Sequence, residues 1–307
     1  MLRKNWWLAA AGLAALNFAT AAQAATLVND TWRDGTDSDP ASPAYSENGV
    51  DGDADGDLES AWFQGGGGTL DPTGPGGPLA GTVLTSSSSW TTYFTPEASP
   101  VTLANAGDSL TVTWVFTPRN VNAGNTSQDF RLAVVDSPAA QRVAANAAPG
   151  SGAYAGYGMF MNMAPILGNS NPFQLREHDG SGALLSGSSD WLALANGAAT
   201  GSVGYASDTA YTFVMSLTRN GASGLDVRST VTGGNIGGTG SIAVAFTDAA
   251  PSFTFDTFAV RPSSASGTAA QFDTSLFRVE FTAIPEPASL AMCGIAALAS
   301  LLIARRK

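Results

Sequence analysis

From Leu110 onward, apolar side chains return at every second position. Leu110, Val112, Trp114 and Phe116 share one face, with Thr111 and Thr113 on the other. Phe130, Leu132 and Val134 repeat the pattern, followed by Tyr211, Phe213, Met215 and Leu217. Leu225, Val227, Ser229 and Val231 come next, then Ile242, Val244 and Phe246, and finally Phe277, Val279 and Phe281. A period of two puts neighbouring side chains on opposite sides of an extended backbone, so each stretch predicts a strand with one dry and one wet face. The body shows no sustained helical periodicity. About a dozen such strands can hide their apolar faces only against one another, which predicts two packed antiparallel sheets.

The punctuation fits. Asn220-Gly221 through Gly224 reads as a hairpin turn with a slightly long loop. In Phe253–Val260 the apolar positions change parity, from Phe253 and Phe255 to Phe258 and Val260, which predicts a bulge near Asp256 and Thr257. Trp62 and Phe63 can anchor a strand. Residues 65–81 are dense in Gly and Pro and read as a loop. Residues 137–150 read as a loop with at most one helical turn.

Both ends carry addresses. Arg3 and Lys4 precede an apolar run from Trp6 to Ala19, and Ala22-Gln23-Ala24 fits a small-x-small cleavage site, so residues 1–24 read as a signal peptide with cleavage after Ala24. At the other end, residues 284–307 hold Pro285-Glu286-Pro287, an apolar run over 288–304, and the basic end Arg305, Arg306 and Lys307. As a helix the 17 residues of that run span roughly 26 Å. Terminal cations snorkelling to the headgroups make that enough to cross a membrane, and the excess of positive charge keeps the end cytoplasmic. The expected domain is therefore 25–283, facing away from the cytoplasm.

Over the whole chain 14 Lys and Arg stand against 25 Asp and Glu. Two basic residues lie in the leader and three in the tail, while Glu286 is the one acidic residue outside the body, so the body carries about −15 and contains no Lys. That charge disfavours nucleic acid and anionic membrane surfaces. Cys293, the single cysteine, sits in the tail, so the body has neither a disulfide nor a thiol nucleophile. His178, the single histidine, excludes His-rich metal sites.

The Pro-Glu-Pro triplet, apolar run and basic end together resemble the PEP-CTERM sorting signal of Gram-negative bacteria, which an exosortase reads and removes. The resemblance implies a chain exported by the general secretion machinery, held at the inner membrane during sorting, then delivered to the cell surface or outside, where such proteins go with exopolysaccharide and biofilm material. Separately, YTFVMSLTR, LDVRSTV, SFTFDTFAVRP and SLFRVEF, within about 205–282, resemble the C-terminal strands of a concanavalin A-like, laminin-G-like jelly roll.

The strongest chemical signal is Asp51 to Glu59, DGDADGDLE. Asp51, Asp53, Asp55 and Gly56 match the opening of a calcium loop, with Asp57 and Glu59 able to add oxygens. Trp62 stands where an EF-hand has its bidentate Glu, and flanking helices are missing, so the loop is not an EF-hand. A solvated acidic loop fits the same residues. Glu177, His178 and Asp179 are the only His-carboxylate cluster, and adjacent strand residues point apart. No E-x-D-x-x-E strand or G-x-S-x-G elbow is present. These absences favour a non-enzymatic surface or matrix protein. A carbohydrate-binding module, calcium-dependent or not, and a hydrolase of the same fold are the alternatives. Trp90, Tyr93, Tyr154, Tyr157 and Trp191 would be the stacking platforms of a sugar binder.

Overall fold

A computed structural model describes residues 23–263 and 267–285. Its chain-order strands are β1 (Gln23–Asp30), β2 (Trp62–Gly65), β3 (Thr69–Pro72), β4 (Leu79–Thr82), β5 (Ser88–Tyr93) and β6 (Val101–Thr102). Then come β7 (Ser109–Arg119), β8 (Phe130–Asp136), β9 (Ala155–Met161), β10 (Phe173–His178), β11 (Trp191–Asn196) and β12 (Tyr211–Asn220). The last are β13 (Gly224–Thr232), β14 (Ser241–Asp248), β15 (Thr254–Phe255), β16 (Thr257–Ser263) and β17 (Gln271–Ala283). The helical content of the described residues is two short 3-10 turns, Ala139–Gln141 and Ile236–Gly238.

The alternating stretches form an eight-stranded sheet in the order β14-β13-β12-β7-β17-β4-β3, with β1 also paired to β17. Facing it is a seven-stranded sheet, β11-β10-β9-β8-β16-β5-β2. Both are antiparallel, and together they make an all-β sandwich. Register keeps each apolar set on one face: in β12 and β7, Phe213 lies opposite Trp114 and Met215 opposite Val112. The other side of the core holds Phe130, Leu132, Met159, Phe173, Phe258 and Val260, and all of these are buried. Trp114 stacks on Phe116 at 4.3 Å, and Phe130 stacks on Phe272 at 5.3 Å. The Trp114 indole N–H donates to Thr274 Oγ1 at 3.0 Å, so a large ring is buried without an orphaned donor. Gly81 makes room for the Trp90 ring of the facing sheet: a β-carbon there would meet Trp90 Cζ2 at 2.4 Å.

Two expectations change. The Gly/Pro-rich stretch 65–81 is not a plain loop: it contains β3 and most of the hairpin that β3 makes with β4, with Thr73 to Pro78 as the turn. The parity change at Phe253–Val260 is not a bulge within one strand. β15 pairs with β6, Asp256 breaks the strand, and β16 enters the seven-stranded sheet between β5 and β8. Swapping the buried side at Asp256 lets Phe255 and Phe258 both reach the core.

Residues Ala24–Ala283 form one compact unit with its own core. No helix among the described residues is long and apolar enough to cross a membrane. The span expected at 288–304, and Glu286, Pro287, Arg305, Arg306 and Lys307 with it, lie outside the described residues. Ala24 is exposed on β1, and Pro285 lies just past the end of β17.

Candidate functional site

Residues 31–60 connect β1 to β2 with almost no ladder of their own: isolated bridges join Asn29 to Leu58 and Ser46 to Ser60. Side-chain carboxylates do much of the backbone's work instead. Asp51 Oδ1 accepts from the Ala54 N–H at 2.6 Å, Asp53 Oδ1 from Asp55 N–H at 3.2 Å, and Asp55 Oδ1 from Asp57 N–H at 3.2 Å. These are local turns of the kind short acidic side chains make. Asp57 turns inward, where its Oδ2 accepts from both the amide and the hydroxyl of Thr31 at 2.8 Å. Glu47 clamps the loop from the side, accepting from the Gly52 N–H and, at 3.0 Å, from the Glu59 N–H.

The alternation therefore does not aim Asp51, Asp53, Asp55, Asp57 and Glu59 at one point. Oxygens close enough to share an ion fall into three groups: Asp34 with Asp55 and Glu59, Asp39 with Asp53 and Glu59, and Glu47 with Asp51 and Asp53. Asp51 and Asp53 are exposed, whereas Asp57 and Glu59 are buried. Asp34 and Asp39 come from outside the D-x-D-x-D-G stretch. Their recruitment depends on how the turn after β1 folds back, which the local spacing does not encode.

Electrostatics separates the members of the first group. Burial, then the charges of Asp34 and Asp30, pushes the Glu59 carboxyl up to about 9. Burial raises Asp55, and it raises Asp30 strongly. For Asp34 burial also acts upward, but hydrogen bonds from the Thr36 hydroxyl and amide outweigh it and hold the group low. Glu59 Oε2, Asp55 Oδ2 and Asp57 Oδ1 are buried oxygens without a hydrogen-bond partner. Arg33, the cation of this segment, spends its guanidinium on the carbonyls of Asp55 and Gly56 at 3.1 and 3.2 Å.

The remaining candidates are structural. Glu177 lies near Asp248 at the seam between the sheets, and Tyr157 Oη donates to Asp248 Oδ2 at 2.5 Å. His178 points the other way, its Nδ1 2.8 Å from the Tyr154 carbonyl and its ring edge-on to Trp191 at 4.9 Å. Glu177, His178 and Asp179 thus do not converge. The seam cluster went unseen in the sequence because Tyr157 and Asp248 are 91 residues apart and nothing local links them. All five aromatics considered as stacking platforms, Trp90, Tyr93, Tyr154, Tyr157 and Trp191, are buried.

The two outer faces differ. That of the seven-stranded sheet is roofed by loops: Tyr154, Leu184, Leu185 and Trp191 pack over Ala133, Phe160 and Ala259, and Tyr45 packs over Phe63 and Tyr93. The outer face of the eight-stranded sheet is open. It presents Thr111, Thr113, Thr212, Ser216, Thr218 and Thr230 at half-exposed positions, interspersed with Val115 and Val214.

No family model matches the chain, and no curated protein matches it. Among solved structures, the chain is similar to peanut lectin with a bound 9mer peptide (13% identity, 86% of this chain and 100% of that one, TM-score 0.47). It is also similar to the VIP36 exoplasmic/lumenal domain bound to Ca2+ and Man3GlcNAc (13% identity, 74% and 87%, TM-score 0.41). A third is the Emp47p carbohydrate recognition domain (14% identity, 73% and 89%, TM-score 0.39).

Proposed function

We propose that this chain is an exported, non-enzymatic surface or matrix protein of a Gram-negative bacterium, sorted by an exosortase through residues 284–307 and associated with exopolysaccharide. The observation that carries this reading is the open face of the eight-stranded sheet. It is broad, rich in Thr and Ser hydroxyls, and held rigid by the paired ladders of β7, β12 and β13. Such a face offers many weak hydrogen bonds to a hydroxylated polymer, and open recesses beside Thr117 and Asp273 and beside Arg278 and Glu280 add charged groups to it. The acids Glu177 and Asp248 support the non-enzymatic part: they lie at the seam, where Asp248 Oδ2 accepts from the buried Tyr157 hydroxyl, rather than facing each other across an open cleft as a glycosidase pair does. Calcium belongs to this reading as the cation of the acidic segment, whose hard oxygens suit it.

A carbohydrate-binding module is the second reading, and the open Ser/Thr face gives it a surface. With the five candidate aromatics buried, its contacts would be hydrogen bonds rather than ring stacking. The Ala25–Ala283 body, incubated with exopolysaccharide from the producing cells, should co-sediment with it and release no reducing ends. Release of reducing ends would overturn the non-enzymatic role, and absence of co-sedimentation would overturn the association. Tight, saturable binding of one oligosaccharide on a glycan array would favour the second reading.

A further inference from the structure

We infer that Asp34, Asp55 and Glu59 hold one divalent cation, calcium by the hardness of its oxygen donors, and that this ion cross-links the otherwise ladderless segment 31–60. The inference deepens the calcium part of the function proposed above and rests on that part alone.

Glu59 is 3% exposed, and its Oε2 is buried with no partner. A buried carboxylate oxygen left bare costs free energy unless a proton or a cation satisfies it. Asp55 Oδ2, in the same group, is also buried and bare. Ligand oxygens of Asp34, Asp55 and Glu59 lie within 4.8 Å of one another. That is close enough for one ion to touch all three, and a set of carboxylate oxygens is the donor type calcium takes. Arg33 sets its Nη1 on the carbonyls of Asp55 and Gly56 and makes no ion pair with Asp34, Asp55 or Glu59.

The other two acidic groups carry less. The second group shares Glu59, but its other members, Asp39 and Asp53, are exposed, and so are Asp51 and Asp53 in the third group; water can serve them. Exposed carboxylates are common without an ion. The Asp34 group is set apart by its buried bare oxygens and by drawing on three places in the chain: the turn after β1, the Asp-Gly loop, and the residue before the Ser46–Ser60 bridge. An ion there ties all three together.

The test is calcium titration of the Ala25–Ala283 body, which contains the entire core, by calorimetry and by melting with and without chelator. The expected result is one calcium per chain, a higher melting temperature in calcium than in chelator, and at least tenfold slower amide exchange across residues 31–60 when calcium is present. Asp55→Asn and Glu59→Gln should each weaken calcium binding at least tenfold. Glu59→Gln keeps the shape and removes a buried acid, so it should still fold cooperatively, which separates loss of the ion from loss of the fold. Asp51→Asn should leave affinity within twofold. Absence of both heat and a melting shift at millimolar calcium would overturn the site. So would binding that survives in Asp55→Asn and Glu59→Gln but disappears in Asp51→Asn, since the ion would then sit with Glu47, Asp51 and Asp53. Co-sedimentation with exopolysaccharide, measured in chelator, reports on the wider reading separately, so either can fail without the other.

Discussion

The two sheets face the same core yet treat their outer sides differently. The eight-stranded sheet keeps one face in water, and β7 and β12 alternate buried and half-exposed residues along almost their whole length. The seven-stranded sheet is dry on both sides at β5 and β9, where all six residues and six of seven are buried, and opens to water only toward its edge strand β11. A sheet roofed by loops depends on contacts made far from the strands themselves. Those contacts should be costly to remove, whereas the open face should tolerate change.

The largest contrast should come from two ion pairs. Arg142, in the loop that roofs the seven-stranded sheet, donates to Asp256 Oδ2 at 2.6 Å and to the Thr95 carbonyl at 3.0 Å. Its guanidinium lies over the rings of Tyr93 and Tyr45 at 4.7 and 5.3 Å. Both partners of the pair are almost fully buried. Arg142→Ala strands the Asp256 charge and should cost about 3–5 kcal/mol in chemical denaturation. Arg119 and Asp208, at the edge of the eight-stranded sheet, form an exposed pair, and Asp208→Ala should cost about 1 kcal/mol or less. Equal costs would break the comparison.

Next comes the roof itself. Phe160 points outward from β9, packs against Trp191 at 5.4 Å and is flanked by the guanidinium groups of Arg176 and Arg131 at 4.8 and 5.0 Å. Phe160→Ala should cost about 3 kcal/mol, as a core aromatic does, although it lies outside the sandwich. A loss below about 1 kcal/mol would mean the roof is a loose cover rather than a second core.

A smaller effect sharpens the comparison where the sheets meet. Burial first, then the charge and hydrogen bond of Asp248, raises Glu177 to about 7. Burial, then the charge of Asp256, raises Asp136 to about 6. Both folded values lie above the unfolded ones, so the fold favours the neutral acids. Their contribution is complete below the unfolded values and is lost as pH rises through about 6 and 7. The melting temperature should therefore fall between pH 5 and pH 8, and Glu177→Gln, neutral throughout, should flatten part of that fall. A variant with the wild-type slope would remove Glu177 from the seam's titration. The smallest effect belongs to the open face: Thr113→Ala should change stability by about 0.5 kcal/mol or less.

What could be read from the chain follows the same division. β7, β12, β13 and β17 announce themselves because one side of each faces water. β5, with Ser88 to Tyr93, and β9, with two glycines and two methionines, carry no alternation because there is no wet side to mark it. β3 was hidden by turn residues that belong to a hairpin rather than to a loop. The acidic segment was legible as a concentration of charge, and Asp55 and Glu59 as part of it. Asp34 was not singled out, because its place beside Glu59 is set by the chain turning back after β1. The Arg142–Asp256 pair spans 114 residues, and no local pattern anticipates it.

β17 has a consequence for the order of events in folding. Its thirteen residues lie between β7 and β4, with Phe277 opposite Trp114 and Asp273 opposite Ala80, and β1 also pairs with it. The middle of the eight-stranded sheet is thus supplied by the last stretch of the body to be synthesised. Until β17 is available, β7 has an unfilled side, and the N-terminal strand has only its bridge from Asn29 to Leu58. The eight-stranded sheet is therefore continuous only once β17 is in place, and the order of the strands along the chain makes its closure a late event.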